Sequence, residues 1–312
     1  MIFNATQSPN LPLQYNLKGN QASTVTLVFL NGLFHGEASW VKQQRYQGFK
    51  NCQHLFLDYP GCGGNQLTEQ QQYFTFSDIA NAIVELIQHL ALERVMLVGY
   101  SLGGMLALEM AKQWPAHTTL PNHQAPRLEK IVLINSADQI SIKGQWMMKN
   151  VQHMLELSIP LPTLFSQVYP WFFSDDYLQK LDSMSEYVLQ SYANYNQDSQ
   201  GLTAFLHACH RRHASDGNGS QSAPAQHSEQ AVLTIPILVI TCSGDPLFPP
   251  NITTAFCQQK ANITQVDLEL QSHVANLEAA AAVNRHIEQF IPEHTPPEPE
   301  QTLIGAPHAA II

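Results

Sequence analysis

Residues 99–103 read Gly-Tyr-Ser-Leu-Gly, with a further glycine at 104. A serine with glycines two before and two after it suits a hydroxyl raised on a tight strand-to-helix turn, where larger flanking side chains would collide. The pattern alone is weak, because glycine and serine are common. Its flanks strengthen it: VMLVGY reads as a strand and LGGMLALEMA as a helix. A serine hydroxyl becomes a useful nucleophile only when a positioned imidazole takes its proton. Of the fourteen histidines, His273 stands directly beyond ITQVDLEL, the last strand-like run. A carboxylate must hold that imidazole in its productive tautomer. Asp245, in the loop after PILVIT, is the preferred acid, and Asp138, after KIVLINSA, competes with it. Main-chain donors for a developing oxyanion are expected at Leu102, which opens the helix after Ser101, and at Leu33 in Asn31-Gly32-Leu33-Phe34. The chemistry these residues suit is acyl transfer through a covalent acyl-serine, and no step of it calls for a metal or a cofactor.

The elements that would carry these residues alternate. Apolar β-branched runs at 24–32 (TVTLVFLNG), from His54 (HLFLDYPG), at RVMLVGYS, from Lys130 (KIVLINSA), from Pro236 (PILVIT) and from Ile263 (ITQVDLEL) predict strands. Helical spacing over 77–92 places Ile79, Ile83, Ile87 and Leu90 on one face, with Ser77 and Asp78 at its start. Further helices are predicted from Leu102 to Trp114 and over LEAAAAVNRHIEQFI. Strands apolar on both faces and alternating with helices imply an α/β fold, a mostly parallel sheet flanked by helices. Between 140 and 235 the alternation stops. That segment is helical in pattern and rich in Met and aromatics, which predicts a cap inserted into the sheet domain. The expected organisation is a core at 1–139, a cap at 140–235 with a mobile loop at about 214–230, a core again at 236–291, and a Pro-rich acidic tail at 292–312.

Composition narrows the function class. Fifteen Lys and Arg against twenty-five Asp and Glu give a formal charge of −10, which argues against a nucleic-acid partner. No apolar run approaches the length of a membrane span, and MIFNATQSPN lacks the basic and apolar regions of a secretory signal, so a cytoplasmic enzyme is expected. The five cysteines, an odd number without CxxC spacing, fit reduced thiols.

With these residues in place, the chain resembles the α/β-hydrolase superfamily over about 20–140 and 233–291. The order Ser101, Asp245, His273 is the one that resemblance implies for nucleophile, acid and base. DYPGCGGN at 58–65 is similar to the superfamily's Asp-x-Pro-Gly-x-Gly-x-Ser turn, with Asn65 where Ser is usual, and LNG at 30–32 departs from the commoner His-Gly. A narrower similarity points to 3-hydroxyacyl-ACP:CoA transacylases and rhamnolipid-precursor synthases. Asn-Gly at 31–32, the His-x-x-x-x-Glu segment from His273 and the ending IGAPHAAII carry it. Ser-Leu-Gly-Gly at 101–104 departs from their Ser-Trp-Gly-Gly. That resemblance implies a medium-chain 3-hydroxyacyl group, with acyl-ACP or acyl-CoA as the thioester donor.

Three features have a blander reading. His207, Cys209, His210 and His213 have ligand-type side chains, but helical spacing spreads them over more than one face. Cys62 suits a tight turn as well as an active site. Tyr169, Trp171, Phe172 and Phe173 line an acyl pocket or simply pack the cap on the core. The sequence thus predicts a serine esterase, thioesterase or acyltransferase acting on a small-molecule ester or thioester of a small or medium acyl group. The alternative is a ligand-binding protein on the same scaffold with little turnover.

Overall fold

The computed structural model describes residues 1–6, 9–114, 125–215, 234–259, 261–270 and 272–292, and side chains of the helix ending at Ser215 only as far as 210. The expected loop at about 214–230 and the tail at 292–312 lie almost wholly outside the described residues.

Eight strands form one sheet in the order β1-β2-β4-β3-β5-β6-β7-β8. They are β1 (Ile2–Asn4), β2 (Pro12–Gly19), β3 (Val25–Leu30), β4 (Gln53–Asp58), β5 (Arg94–Tyr100), β6 (Arg127–Ile134), β7 (Ile237–Cys242) and β8 (Ile263–Leu268). From β4 to β8 all pairs are parallel, while β1 and β2 run antiparallel. The α/β architecture and the mostly parallel sheet are as the sequence predicts. The first two strands had not been anticipated. PLQYNLKG alternates buried and exposed positions, with Gln14, Asn16 and Lys18 breaking the apolar run. That alternation suits an antiparallel strand with one face covered. The central strands β3, β4 and β7 are buried along their whole length, so they read from sequence as continuous apolar runs.

Helices cover both faces: α1 (Val41–Gln44), α2 (Phe76–His89), α3 (Leu102–Gln113), α9 (Pro250–Gln258), α10 (Ala275–Glu278) and α11 (Ala280–Phe290). The start of α2 differs from expectation. Thr75, not Ser77, is its N-cap, and Thr75 and Asp78 form a reciprocal capping box that satisfies two otherwise free backbone N–H groups. Between β6 and β7 the chain leaves the sheet, and the described residues there form the helices α4 (Ile142–Glu156), α5 (Leu161–Phe172), α6 (Asp175–Leu181), α7 (Ser185–Tyr195) and α8 (Ser199–Ser215). This inserted helical region lies over the C-terminal ends of the parallel strands, where α/β sheets carry their ligand sites. Among the described residues no helix is long and apolar enough to cross a membrane. All five cysteines are free thiols.

Candidate active site

Ser101 follows β5 and precedes α3 with φ 53° and ψ −121°, a backbone conformation that L-residues seldom adopt and that costs of order 1–3 kcal/mol. The packing around it explains why the strain persists. A Cβ on Gly99 would overlap the backbone of Gly103 and Gly104, and one on Gly103 would overlap the carbonyls of Leu30 and Asn31. Both glycines are therefore needed for β5, β3 and α3 to approach this closely. The Ser101 amide donates to the Ile134 carbonyl at 2.9 Å, and the Ser136 hydroxyl donates to the Ser101 carbonyl at 2.7 Å. The elbow is thus fixed to β6 at both its amide and its carbonyl.

His273 comes from the loop after β8 and is 1% exposed. Its Nε2 lies 2.7 Å from Ser101 Oγ and its Nδ1 2.8 Å from Asp245 Oδ2. With the carboxylate on Nδ1, that nitrogen carries the proton and Nε2 accepts from the serine hydroxyl. Three rings enclose the imidazole: Tyr100 at 5.3 Å, Phe172 at 5.6 Å and Phe248, stacked at 5.8 Å. Asp245 is itself saturated. Its Oδ1 accepts from the amides of Leu247 (2.8 Å) and Phe248 (3.1 Å), and its Oδ2 also accepts from Asn135 Nδ2 at 2.8 Å. Four donors on a buried carboxylate keep the anion solvated by protein. The sequence had left Asp138 in competition. The structure pairs His273 with Asp245.

Leu33 and Leu102, whose amides are the expected oxyanion donors, line one cavity together with Ser101. As the first helical residue, Leu102 has no intrahelical acceptor for its N–H. Its neighbours on the other side of the cavity are held by their carbonyls. His35 Nδ1 donates to the Leu33 carbonyl at 2.8 Å, and Asn196 Nδ2, from the cap, reaches the Phe34 carbonyl at 3.3 Å. Phe34 takes φ 65°, which turns that stretch of backbone. Asn31, where His is commoner, ties the strand ends together: its side chain donates to the Leu57 carbonyl and accepts from Trp40 Nε1. Asn65 likewise does the work expected of Ser, donating to the Asp58 and Tyr59 carbonyls and accepting from the Gln14 amide.

Several contributing residues had not been singled out from sequence: Asn135, Ser136, His35 and Asn196. Asn135 and Ser136 follow the strand KIVLI directly, so their position at a strand's C-terminal end was the available signal. His35 is 4% exposed, and burial lowers its pKa from 6.5 to about 4, so it is neutral at physiological pH.

The other candidates resolve differently. Phe172 lines the cavity beside Ser101, Tyr169 and Phe173 pack on each other, and Trp171 is exposed. Cys62 is buried and its thiol is pushed well above the usual range by desolvation, which leaves it a packing residue rather than a nucleophile. In the histidine-rich stretch, His207 meets Gln152 and Cys209 is buried, and no metal-holding group of three occurs among the described residues. The His213 side chain lies outside them.

The cavity at Ser101 is lined by Leu33, Leu102, Met105, Ile140, Met147, Met148, Phe172, Leu247 and Phe248, and its free space is about 20 Å³. That is room for about one water. Apart from Ser101 every lining residue is apolar.

Comparison with known proteins agrees with this architecture. The sequence model described as the alpha/beta hydrolase family matches residues 27–286. No curated protein sequence matches significantly. Among solved structures, the enol-lactonase from Burkholderia xenovorans LB400 superposes with a TM-score of 0.71 at 20% identity, covering 90% of this chain and 97% of that one. A hydrolase from Pseudomonas aeruginosa PA01 gives 0.70 at 19% identity, covering 93% and 97%. A thermophilic esterase from Thermogutta terrifontis gives 0.67 at 18%, again covering 93% and 97%. At these identities the likeness is one of fold.

Proposed function

The chain belongs to the α/β-hydrolase family, and from that premise we propose that it is a serine-dependent esterase acting on carboxylic esters, or the corresponding thioesters, of an apolar acyl group. The observation that carries the proposal is the unbroken relay from Ser101 Oγ through His273 to Asp245, at 2.7 and 2.8 Å, on a strained elbow.

In this mechanism Ser101 Oγ attacks the acyl carbonyl carbon while His273 Nε2 takes the hydroxyl proton. The carbonyl oxygen becomes an oxyanion held by the Leu33 and Leu102 amides. Collapse of the tetrahedral species breaks the acyl bond, and His273 returns the proton to the departing alkoxide or thiolate. A water activated by His273 then attacks the acyl-serine, releasing the acid. Asp245 keeps the imidazole in the required tautomer and offsets its positive charge in each half-reaction. An alcohol or thiol entering in place of water would make the same site an acyltransferase.

The apolar lining supports an unadorned acyl chain. A 3-hydroxyacyl group would find no side-chain partner for its hydroxyl among the residues lining the cavity, so the narrower transacylase reading gains no support from the site. The alternative of a binding protein without turnover is tested directly. A fluorophosphonate probe should label wild type rapidly and Ser101→Ala not at all, whereas a resting scaffold would label neither.

A further inference from the structure

The loop that carries His273 is tied to the cap twice, once directly and once through a carboxylate. The His273 amide donates to the Phe172 carbonyl at 2.8 Å, at the end of α5. Ser272 Oγ lies 3.2 Å from that same carbonyl and 2.6 Å from Glu278 Oε1, and it accepts from the Val274 amide at 3.0 Å. Its one proton is best used on the nearer, charged acceptor. Glu278, in α10, then reaches into the cap: Oε1 accepts from the Ser174 amide at 3.0 Å and Oε2 from the Ser174 hydroxyl. Ser174 in turn caps α6 by accepting from the Tyr177 amide. The Glu278 carboxylate therefore gathers three neutral donors, two from the cap and one from the residue next to the base, and no Lys or Arg pairs with it among the described residues.

From this arrangement we infer that Glu278 is a positioning residue for His273, making the seat of the cap part of what holds the base. This rests on the esterase reading above. A carboxylate that served only to fix α10 would need one or two local donors. Here it bridges 104 residues of sequence to Ser174 and also bonds the side chain of Ser272, the residue next to the base. Loss of that bridge removes the acceptor that Ser272 and Ser174 share and leaves the His273 amide bond to the Phe172 carbonyl as the main tie between base and cap. Small displacements of a base from its nucleophile are costly, since misplacement by about 1 Å can lower turnover roughly 100-fold.

The test uses the full chain with Glu278→Ala, Glu278→Gln and Ser174→Ala, each checked for folding by near-UV circular dichroism. Two readouts follow: kcat and KM on a p-nitrophenyl ester, and the downfield proton resonance of His273 Nδ1–H, which needs no substrate. Glu278→Ala should lower kcat roughly 10- to 100-fold with KM nearly unchanged, and should shift or broaden the resonance. Glu278→Gln should restore most of both, because its amide oxygen can accept from the Ser174 amide and Ser272 Oγ while its NH2 donates to Ser174 Oγ. Ser174→Ala should show a smaller loss that disappears in the Glu278→Ala background. A folded Glu278→Ala with wild-type kcat and resonance overturns the inference, as does a Glu278→Gln no better than Ala, or a loss confined to KM. If wild type turns over no ester while the resonance still responds to Glu278, the esterase reading fails and the positioning role stands.

Discussion

The strand-end loops and the inserted helices meet at one cavity and build it by opposite means. The loops supply polar atoms that are nearly all paired, and they carry strained backbone: Phe34, Ser101 and Asn135 all take positive φ. The cap supplies Met147, Met148 and Phe172, which close the cavity with apolar contact alone. It also bears most of the exposed large apolar side chains, including Ile142, Trp146, Leu157, Met184 and Tyr187. Strain and saturated hydrogen bonds fix Ser101, His273 and Asp245 to one geometry, whereas apolar packing on flexible methionines admits several. One region is built for position, the other for adjustment. Substitutions in the loops should therefore act on kcat, and substitutions of the cap side chains that line the cavity on substrate choice.

The sharpest way to break that contrast is at the nucleophile. Ser101→Ala should lower kcat by roughly 10⁴ or more with the fold retained, because the members of such a unit fail together. Retention of more than a few per cent of esterase activity in the purified variant would remove Ser101 from the mechanism. Next in size is the acid. Asp245→Asn should lower kcat by roughly 10³ or more through the wrong imidazole tautomer, while Asp138→Asn stays close to wild type. A reversal of those two results would contradict the geometry that pairs His273 with Asp245.

The same division explains what could be read in the sequence. That Ser101, Asp245 and His273 come together was legible because each sits at a fixed station relative to a strand, and strands β3 to β7 announce themselves as buried runs. The choice between Asp245 and Asp138 was not, because both follow strands and only the tertiary placement of the His273 loop selects one. Strand β2 was hidden by its alternation, which looks polar when read as a run. Glu278 and Asn196 were invisible as partners, since their bonds to Ser174 and Phe34 span 104 and 162 residues. The cap could be recognised as helical and aromatic, yet which of its rings faces the cavity depended on how its helices pack. Phe172 faces it and Trp171 does not.

A smaller effect separates the two regions by acyl length. If the methionine-lined side yields to the substrate, each added methylene should contribute about 0.8 kcal/mol, roughly fourfold in kcat/KM. The gain should appear mainly in KM, because the distal chain is bound alike in ground and transition states. A series of p-nitrophenyl esters from C2 to C12 should peak at intermediate length, and Met147→Ala should move the peak to longer chains. Rates highest at C2 and falling monotonically would mean the closed cavity does not open, leaving an esterase for small acyl groups.

The remaining effect acts on stability rather than turnover, at the joint between the two regions. His35 holds the Leu33 carbonyl on the loop side and packs against Phe172 and Tyr192 on the cap side. Its Nε2 is buried without a partner. Burial holds the folded-state pKa at about 4 instead of 6.5. Between those values the unfolded chain binds a proton that the folded chain refuses, so stability must fall as pH drops through that window. His35's stabilising share is complete above about pH 6.5 and is lost progressively toward pH 4, by roughly 3 kcal/mol in all. His35→Phe keeps a ring in the same site and removes the titration. It should be less stable than wild type at pH 8, having lost the bond to Leu33, yet should lose less stability on acidification. Urea midpoints for both proteins at pH 8, 6.5, 5 and 4.5 measure the difference. Parallel curves would show that the joint does not sense acid through His35, and that the loop and cap respond to pH through other groups.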